Sequence, residues 1–331
     1  MVTQRAVRLS DVAAVAGVSK ATASKALNGS PLVSAATTAR VREAAERLDF
    51  RPNALAQSFA SGRSRTVGLL THRATATFSR AVVIGAILEL GRRERAALVF
   101  DGRIDAHHEM TESIRTLQDR RIDGLLVVGS GFGRITPSIT HQFQVPVTYA
   151  FAASDNPEDS VFVPDNEQAG YLAGRHLLES GRTRIAHVTA DRDDLAVRRR
   201  EAGLRRALAE AGLEPVATQY GSWRREWGEQ SIGALRDAGV AFDAVFAGND
   251  HIGFGVLDAL QERGVDVPTD VAVVGVDNWE EVILDQKLRR LTTVDLDLLG
   301  VGRVAADNVI EPAATGGERF VAPSLVRGPS T

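Results

Sequence analysis

Short apolar runs rich in β-branched residues return every roughly 20–30 residues from position 67 onward, with a helical stretch between each and the next. VGLL (67–70), ALVF (97–100), GLLVV (124–128) and VPVTY (145–149) form one set. RIAHVT (184–189), PVATQY (215–220), FDAVFAG (242–248) and VAVVGVD (271–277) form a second. The stretches 80–94, 108–120, 166–180, 197–211, 226–238 and 253–263 read as the intervening helices. This alternation leaves few choices, because parallel strands need crossovers and the crossover helices cover both faces of the sheet. Two sets predict two doubly wound lobes, with ligands taken at strand C-termini in the cleft between them. One more helix (about 300–310) and a short apolar stretch, FVAPSLV, follow.

The first 62 residues have a different texture. Ser10 is expected to N-cap a helix from Asp11, with Leu9, Val12, Ala13 and Ala16 as its apolar side and Gly17 as its stop. Ser19 can cap a second helix that ends near Asn28-Gly29, and Ser34 starts a third. In the third, Val41, Ala44, Ala45 and Leu48 fall at i, i+3, i+4 and i+7, a single buried stripe. Two helices joined by a glycine turn, with a third completing a small core, is a helix-turn-helix arrangement. Pro52 then opens NALAQSFASG, which ends at Gly62. Proline at a helix start and glycine past its end are both favoured, but so short a helix is marginal unless something holds it.

Charge separates the same two parts. The whole chain of 331 residues is nearly balanced at −3, yet residues 1–66 hold ten Lys/Arg and four acids, a net of +6, and the rest carries −9. A basic head on an acidic body is the footprint of a nucleic-acid-binding module joined to something else, although solvated basic N-termini are also common. With no cysteine, disulfides, thiolate metal sites and cysteine nucleophiles are excluded together. No apolar run reaches the ~18–20 residues of a membrane span, and MVTQRAVRLSDV lacks the apolar core of a secretory signal. The expectation is a soluble cytoplasmic protein, associated with the nucleoid.

LSDVAAVAGVSKATASKALNGSPLVS and FRPNALAQSFASGRSRTVGLL resemble the DNA-binding head and hinge of the LacI–GalR transcriptional regulators. VPDNEQAGYLAGRHLLESGRTRIA, RRREAGLRRALAEAGL, GNDHIGFGVLDAL, VPTDVAVVGVDN and LTTVD resemble that family's effector-binding body, in the family's order over almost the whole chain. The implied fold class is α/β: an all-α helix-turn-helix head (7–62) with a hinge helix at about 52–61, then two parallel-sheet lobes of the periplasmic-binding-protein type (66–331). The lobes are expected at about 66–161 with 294–322, and about 162–293 with 323–331. The implied function is a repressor that binds a near-palindromic operator in double-stranded DNA as a homodimer. A small effector, a sugar or related polyol or nucleoside, controls it from the cleft. The other reading of the body is a solute-binding protein of a transport system, which would not need residues 1–62 and would need a signal sequence.

The resemblance also assigns residues in the head. Lys20 and Ala21 match the family's base-reading pair, and Lys25 stands where an arginine is usual. A lysine offers a point charge in place of a bidentate fork, so discrimination at that base weakens. Thr22, Ser24 and Asn28 fit phosphate contacts, and Ser19 is better read as a cap than as a DNA ligand. Phe59 matches the leucine that wedges into the operator's minor groove, with packing against its own body or its dimer mate as the alternative. Asn53 and Gln57 would contact the DNA backbone or the hinge partner.

In the body, Asp165, Arg200, Asn249 and Asp277 match positions that hydrogen-bond effector hydroxyls, and Trp223 matches one where an aromatic stacks on a ring face. Helix N-capping is the plainer role for Asp165 and Asn249, and core packing beside Trp227 the plainer one for Trp223. The chain departs from the family in THRATATFSR, where His72 and Phe78 would line the cleft, and at Leu298, where an aromatic often occurs. Both departures leave the effector unnamed. VVGSGFGRI supplies Gly129, Gly131 and Gly133 but has Arg134 where a dinucleotide loop would continue. His107-His108-Glu109 lacks a spaced partner for a metal. No catalytic motif, metal site or cofactor is expected, and no heptad helix follows the last apolar stretch, which favours a dimer over a tetramer.

Overall fold

The computed structural model describes residues 7–51, 64–71, 74, 76–101, 107–131, 135–282 and 289–331, with the backbone alone for 107–111 and 282. The chain divides into two units, Met1–Ser64 and Arg65–Thr331. The proposed hinge helix, with Asn53, Gln57 and Phe59, lies outside the described residues, as does His72.

The first unit contains α1 (Leu9–Ala16), α2 (Lys20–Leu27) and α3 (Ala35–Arg47). Helix α1 begins two residues before the expected Asp11, so Ser10 lies inside it. Asp11 does the capping from within the helix, its carboxylate accepting from the Arg8 amide at 2.8 Å. Gly17 ends the helix with φ 65, a left-handed conformation that glycine adopts without a Cβ penalty. Ser19 and Ser34 cap α2 and α3, accepting from the amides of Thr22 and Thr37. The core consists of Val12, Val41 and six alanines, among them Ala23 and Ala26 of α2, so the three helices close on small side chains.

The second unit holds two six-stranded sheets. In the first, the order β13-β7-β5-β3-β1-β2 is wholly parallel. It consists of β1 (Thr66–Thr71), β2 (Ala96–Asp101), β3 (Gly124–Val128), β5 (Val147–Ala150), β7 (Ser160–Pro164) and β13 (Gly317–Val321). Helices α4 (Thr77–Arg92) and α11 (Leu298–Ile310) pack on it, and α5 (His107–Asp119) contributes Ile114 and Leu117 to a separate cluster with Leu70 and Leu125. β4 (Ile135–Thr136) and β6 (Ala153–Ser154) form a small ribbon beside it.

The second sheet runs β14-β12-β11-β10-β8-β9. Its strands are β8 (Ile185–Thr189), β9 (Ala217–Tyr220), β10 (Ala244–Ala247), β11 (Ala272–Val276), β12 (Thr292–Asp295) and β14 (Ser324–Val326). β14 departs from the parallel expectation by pairing antiparallel with β12. Helices α6 (Asn166–Glu179) and α7 (Leu195–Ala209) pack together; α8 (Arg225–Asp237) pairs with α9 (Asp250–Glu262), and α10 (Trp279–Val282) follows β11.

The chain crosses between lobes after β7, after β12 and between β13 and β14. The expected boundaries at 161/162 and 293/294 fall a few residues early, because β7 and β12 stay in register with their own sheets: Phe162 opposite Ala150, Val294 opposite Val276. Among the described residues, no helix is long and apolar enough to cross a membrane.

Candidate functional site

Helix α2 of the head presents a polar face that its alanine core leaves open. Lys20, Ala21, Lys25 and Asn28 are exposed, while Thr22 and Ser24 are half-buried. Ser19 is engaged as a cap: its hydroxyl accepts from the Thr22 amide at 3.0 Å and lies 2.8 Å from the Thr22 hydroxyl. That pairing fixes the first turn of α2, so Lys20 and Ala21 project from a rigid start.

A cavity of about 430 Å³ opens in the second unit where β7 and β12 cross between the lobes. Five of the expected residues meet there: Phe78, Arg200, Trp223, Asn249 and Asp277. Arg200, on α7, is the centre of the polar wall. Its Nε donates to Asn166 Oδ1 at 2.8 Å, its Nη1 donates to the Gly248 carbonyl, and its Nη2 lies 3.6 Å from Asp277 Oδ1. The guanidinium also sits 5.5 Å from the centre of the Trp223 ring. Burial works against its charge, and the carboxylates of Asp277, Asp194 and Asp250 work for it. Donors on Nη1 and Nη2 remain for a ligand, since the guanidinium carries five N–H groups.

Asp277 follows β11 directly, with φ 111, an unusual conformation for a non-glycine residue, and its carboxyl is pushed up to about 7 by burial, with Arg200 pulling the other way. Behind it Asp250 accepts from the Thr293 hydroxyl at 2.6 Å and the Trp279 amide at 2.7 Å. Burial, and after it the charge of Asp277, hold Asp250 well above the usual carboxylate range. Asn249 caps α9 through Oδ1, accepting from the Ile252 amide at 2.8 Å, and its Nδ2 donates to the Trp223 carbonyl at 3.2 Å. The capping role and a place on the cavity wall therefore coexist in one side chain.

Asp165 does not line this cavity. It caps α6, accepting from the Gln168 amide at 2.9 Å, and lines a separate surface hollow with Glu167, Arg206 and Phe320. Its neighbour Asn166, 1% exposed, occupies the wall instead. Sequence reasoning also passed over Asp194, Phe151 and Leu296, which line the cavity. Asp194 sits in a cap position before α7, a legible signal; its carboxylate accepts from the Ala196 amide and from Trp223 Nε1. Phe151 follows β5 with φ 52, and nothing in the sequence pattern marks it. Leu296, two residues before the flagged Leu298, takes the place at the wall. Among the described residues no group of His, Cys, Asp or Glu could hold a metal ion.

Residues 8–53 match the model for bacterial regulatory proteins of the lacI family, and residues 64–322 match that for periplasmic binding proteins and the sugar-binding domain of the LacI family. The chain belongs to the LacI family. This LacI-family member is therefore a DNA-binding transcriptional repressor, in a family of regulators and not of enzymes. It is 32% identical to the ribose operon repressor of Escherichia coli over 91% of this chain and 92% of that one. It is 29% identical to the HTH-type transcriptional repressor PurR of Vibrio parahaemolyticus, over 92% of this chain and 91% of that one. A solved lac repressor dimer bound to operator shares the fold at TM-score 0.71 and 23% identity, covering 98% of this chain and 99% of that one. A CelR–cellobiose complex gives 0.64 at 28% identity, with 98% and 100% covered.

Proposed function

We propose that this LacI-family repressor acts as a homodimer on a near-palindromic operator, with α2 of each head in a major groove. Lys20 and Ala21 read base edges, Lys25 adds a less selective positive contact, and Thr22, Ser24 and Asn28 fix position on the phosphates. The observation that carries this reading is the exposed face of α2: its only fully buried residues are Ala23 and Ala26, which leaves Lys20, Ala21 and Lys25 to solvent. On the same reading 7–62 is the head with its hinge and 66–331 the body, and the protein works at the nucleoid, in the cytoplasm.

A small hydroxylated effector in the interlobe cavity shifts the affinity for DNA. Arg200, Asp277, Asn249 and Asn166 supply donors and acceptors at one wall, and Trp223 supplies a ring face; this combination suits a sugar, polyol or nucleoside. Binding of the full chain, and of a fragment starting at Thr66, to the DNA upstream of its own gene tests the reading. It is run with excess non-specific competitor at two salt concentrations, because phosphate contacts make affinity salt-dependent. Saturable, competitor-resistant binding by the full chain only is the expected result. If the full chain also selected no sequence from random genomic fragments, the operator reading would fall.

A further inference from the structure

Of the 39 basic residues in the chain, 36 are arginine and three are lysine: Lys20, Lys25 and Lys287. The preference holds in the head as well, where eight of the ten basic residues in 1–66 are arginine. Lys287 lies outside the described residues. The other two share one eight-residue helix, α2, where Lys20 takes the first position and Lys25 the last turn. Both are exposed, on the surface that the buried Ala23 and Ala26 leave to solvent.

For grip on DNA, lysine is not the stronger choice. Arginine carries the same charge, and its fork binds guanine through two hydrogen bonds where an ammonium offers a point charge. A general shortage of lysine accounts for the 36 arginines, but not for where the lysines remain. Lysine sheds its proton far more readily than arginine, and the free amine is a nucleophile. Nothing in the head engages either ammonium: among the described residues neither makes a hydrogen bond or an ion pair. Of the acids in the head, Asp11 is turned to the Arg8 amide, and Asp49 lies 3.7 Å from Arg51. An acyl group on either amine therefore breaks no contact within the fold, while it removes a positive charge and adds bulk on the outer face of α2.

Resting on the reading of α2 given above, we propose that Lys20 and Lys25 are a modification site for a small activated acyl donor, an acyl phosphate, and that acylation there releases the repressor from DNA. The step balances without a further reactant. The ammonium gives a proton to water, and the amine lone pair forms an N–C bond to the acyl carbonyl carbon. The C–O bond to phosphate breaks, phosphate leaves with the electron pair, and the surplus proton on nitrogen passes to solvent. Nothing is oxidised or reduced, and the product amide is neutral. Modification of both lysines removes two of the six net positive charges of residues 1–66. Contacts with phosphate weaken together with the reading of bases.

To test this, the full chain is incubated with acetyl phosphate and the modified sites are quantified by peptide mass spectrometry. Affinity for the selected operator is then compared with that of an untreated sample. Acetylation of Lys20 and Lys25 is expected, with a ten-fold or greater loss of operator affinity and an unchanged thermal midpoint. Saturating operator present during the treatment should lower acetylation of both lysines, relative to Lys287, at least five-fold. The Lys20→Arg/Lys25→Arg double variant keeps both charges and offers no amine on α2. Measured against its own untreated sample, its operator affinity should change less than two-fold on treatment. If that variant binds operator too weakly to compare, the protection measurement decides, since it needs no substitution. Acetylation that spares Lys20 and Lys25, that operator does not slow, or that modifies both and leaves affinity intact overturns the proposal. So does an equal loss in the double variant, which would place the effect at Lys287 or the N-terminal amine. In each of those results the untreated chain still binds operator and the reading of α2 stands. If the untreated chain selects no operator, that reading falls and the proposal with it.

Discussion

At the scale of single residues, Asp277 and His187 tie stability to pH in opposite directions. Asp277 holds its proton to about pH 7 in the folded chain, against 3.8 ordinarily. Between those values the folded state binds the extra proton, so stability falls as pH rises, and the loss is complete above about 7. His187 is fully buried in β8 and stacked on Phe246; burial lowers it to about 4 from 6.5, so there the unfolded state binds the extra proton and stability rises with pH. The two effects oppose each other between about pH 4 and 6.5. Asp277→Asn removes the falling part, and asparagine tolerates positive φ better than most residues. The attraction of Arg200 is already contained in the shift, so the variant should be more stable than the parent above pH 7, by on the order of a few kcal/mol. That gain should shrink to near zero by pH 4, and thermal melts at pH 4.5 and 8 decide it; equal gains at both would refute the assignment. A second pair of variants separates adjacent side chains at the head of α6. Asp165→Ala should cost about 1 kcal/mol of stability through the lost cap and leave effector affinity unchanged. Asn166→Ala should weaken effector binding ten-fold or more, because Arg200 Nε loses its acceptor. The sequence makes the helix start legible at this point, but not which of two consecutive polar residues turns into the cleft. That depends on how β7 enters the crossing, which is a tertiary fact.

The elements themselves were largely legible from the sequence. All eight apolar runs contain strands, and each helical stretch found its helix to within a few residues, because periodicity is decided locally by which face is buried. β7, β12, β13 and β14 were not read as strands; β13 alternates half-buried and exposed positions at the edge of its sheet. Their pairing comes from the chain crossing between lobes, which no local pattern encodes. Helix contacts that set the site were equally invisible. On α6 a Cβ at Gly170 would overlap the Arg200 carbonyl, and on α7 a Cβ at Gly203 would overlap that of Glu167. The backbones of the two helices therefore touch at the turn that carries Arg200. Gly170→Ala should force them apart, costing about 1–3 kcal/mol in a chemical denaturation curve. It should also weaken effector binding by moving the guanidinium off Asn166. Gly212→Ala is the control: its φ of 70 makes the substitution strained, but nothing lies near its Cβ and it is far from the cavity wall. It should cost about 1 kcal/mol and leave effector affinity alone. If both variants bind effector like the parent, the α6–α7 contact does not position Arg200.

For the whole molecule, the proposed repressor makes a demand that needs no geometry between head and body. The basic head and the acidic body are chemically distinct parts of one chain, and an effector in the cavity can influence DNA binding only through a difference in its affinity for two states. A tightly bound molecule that prefers neither state shifts nothing. Linkage then fixes the size of the reverse effect: whatever factor the effector applies to operator affinity, the operator applies to effector affinity. Typical couplings of about 1–3 kcal/mol correspond to roughly 5–150-fold. Operator affinity with and without saturating effector, and effector affinity with and without saturating operator, should give the same factor within error at one salt concentration. Non-specific DNA should give a smaller factor, since it engages the charged head without the specific contacts of α2. Unequal factors with operator would mean that the two ligands do not act through one equilibrium. An effector that also alters non-specific binding by the full factor would place its action on the charge of the head, not on the reading of DNA by Lys20 and Ala21.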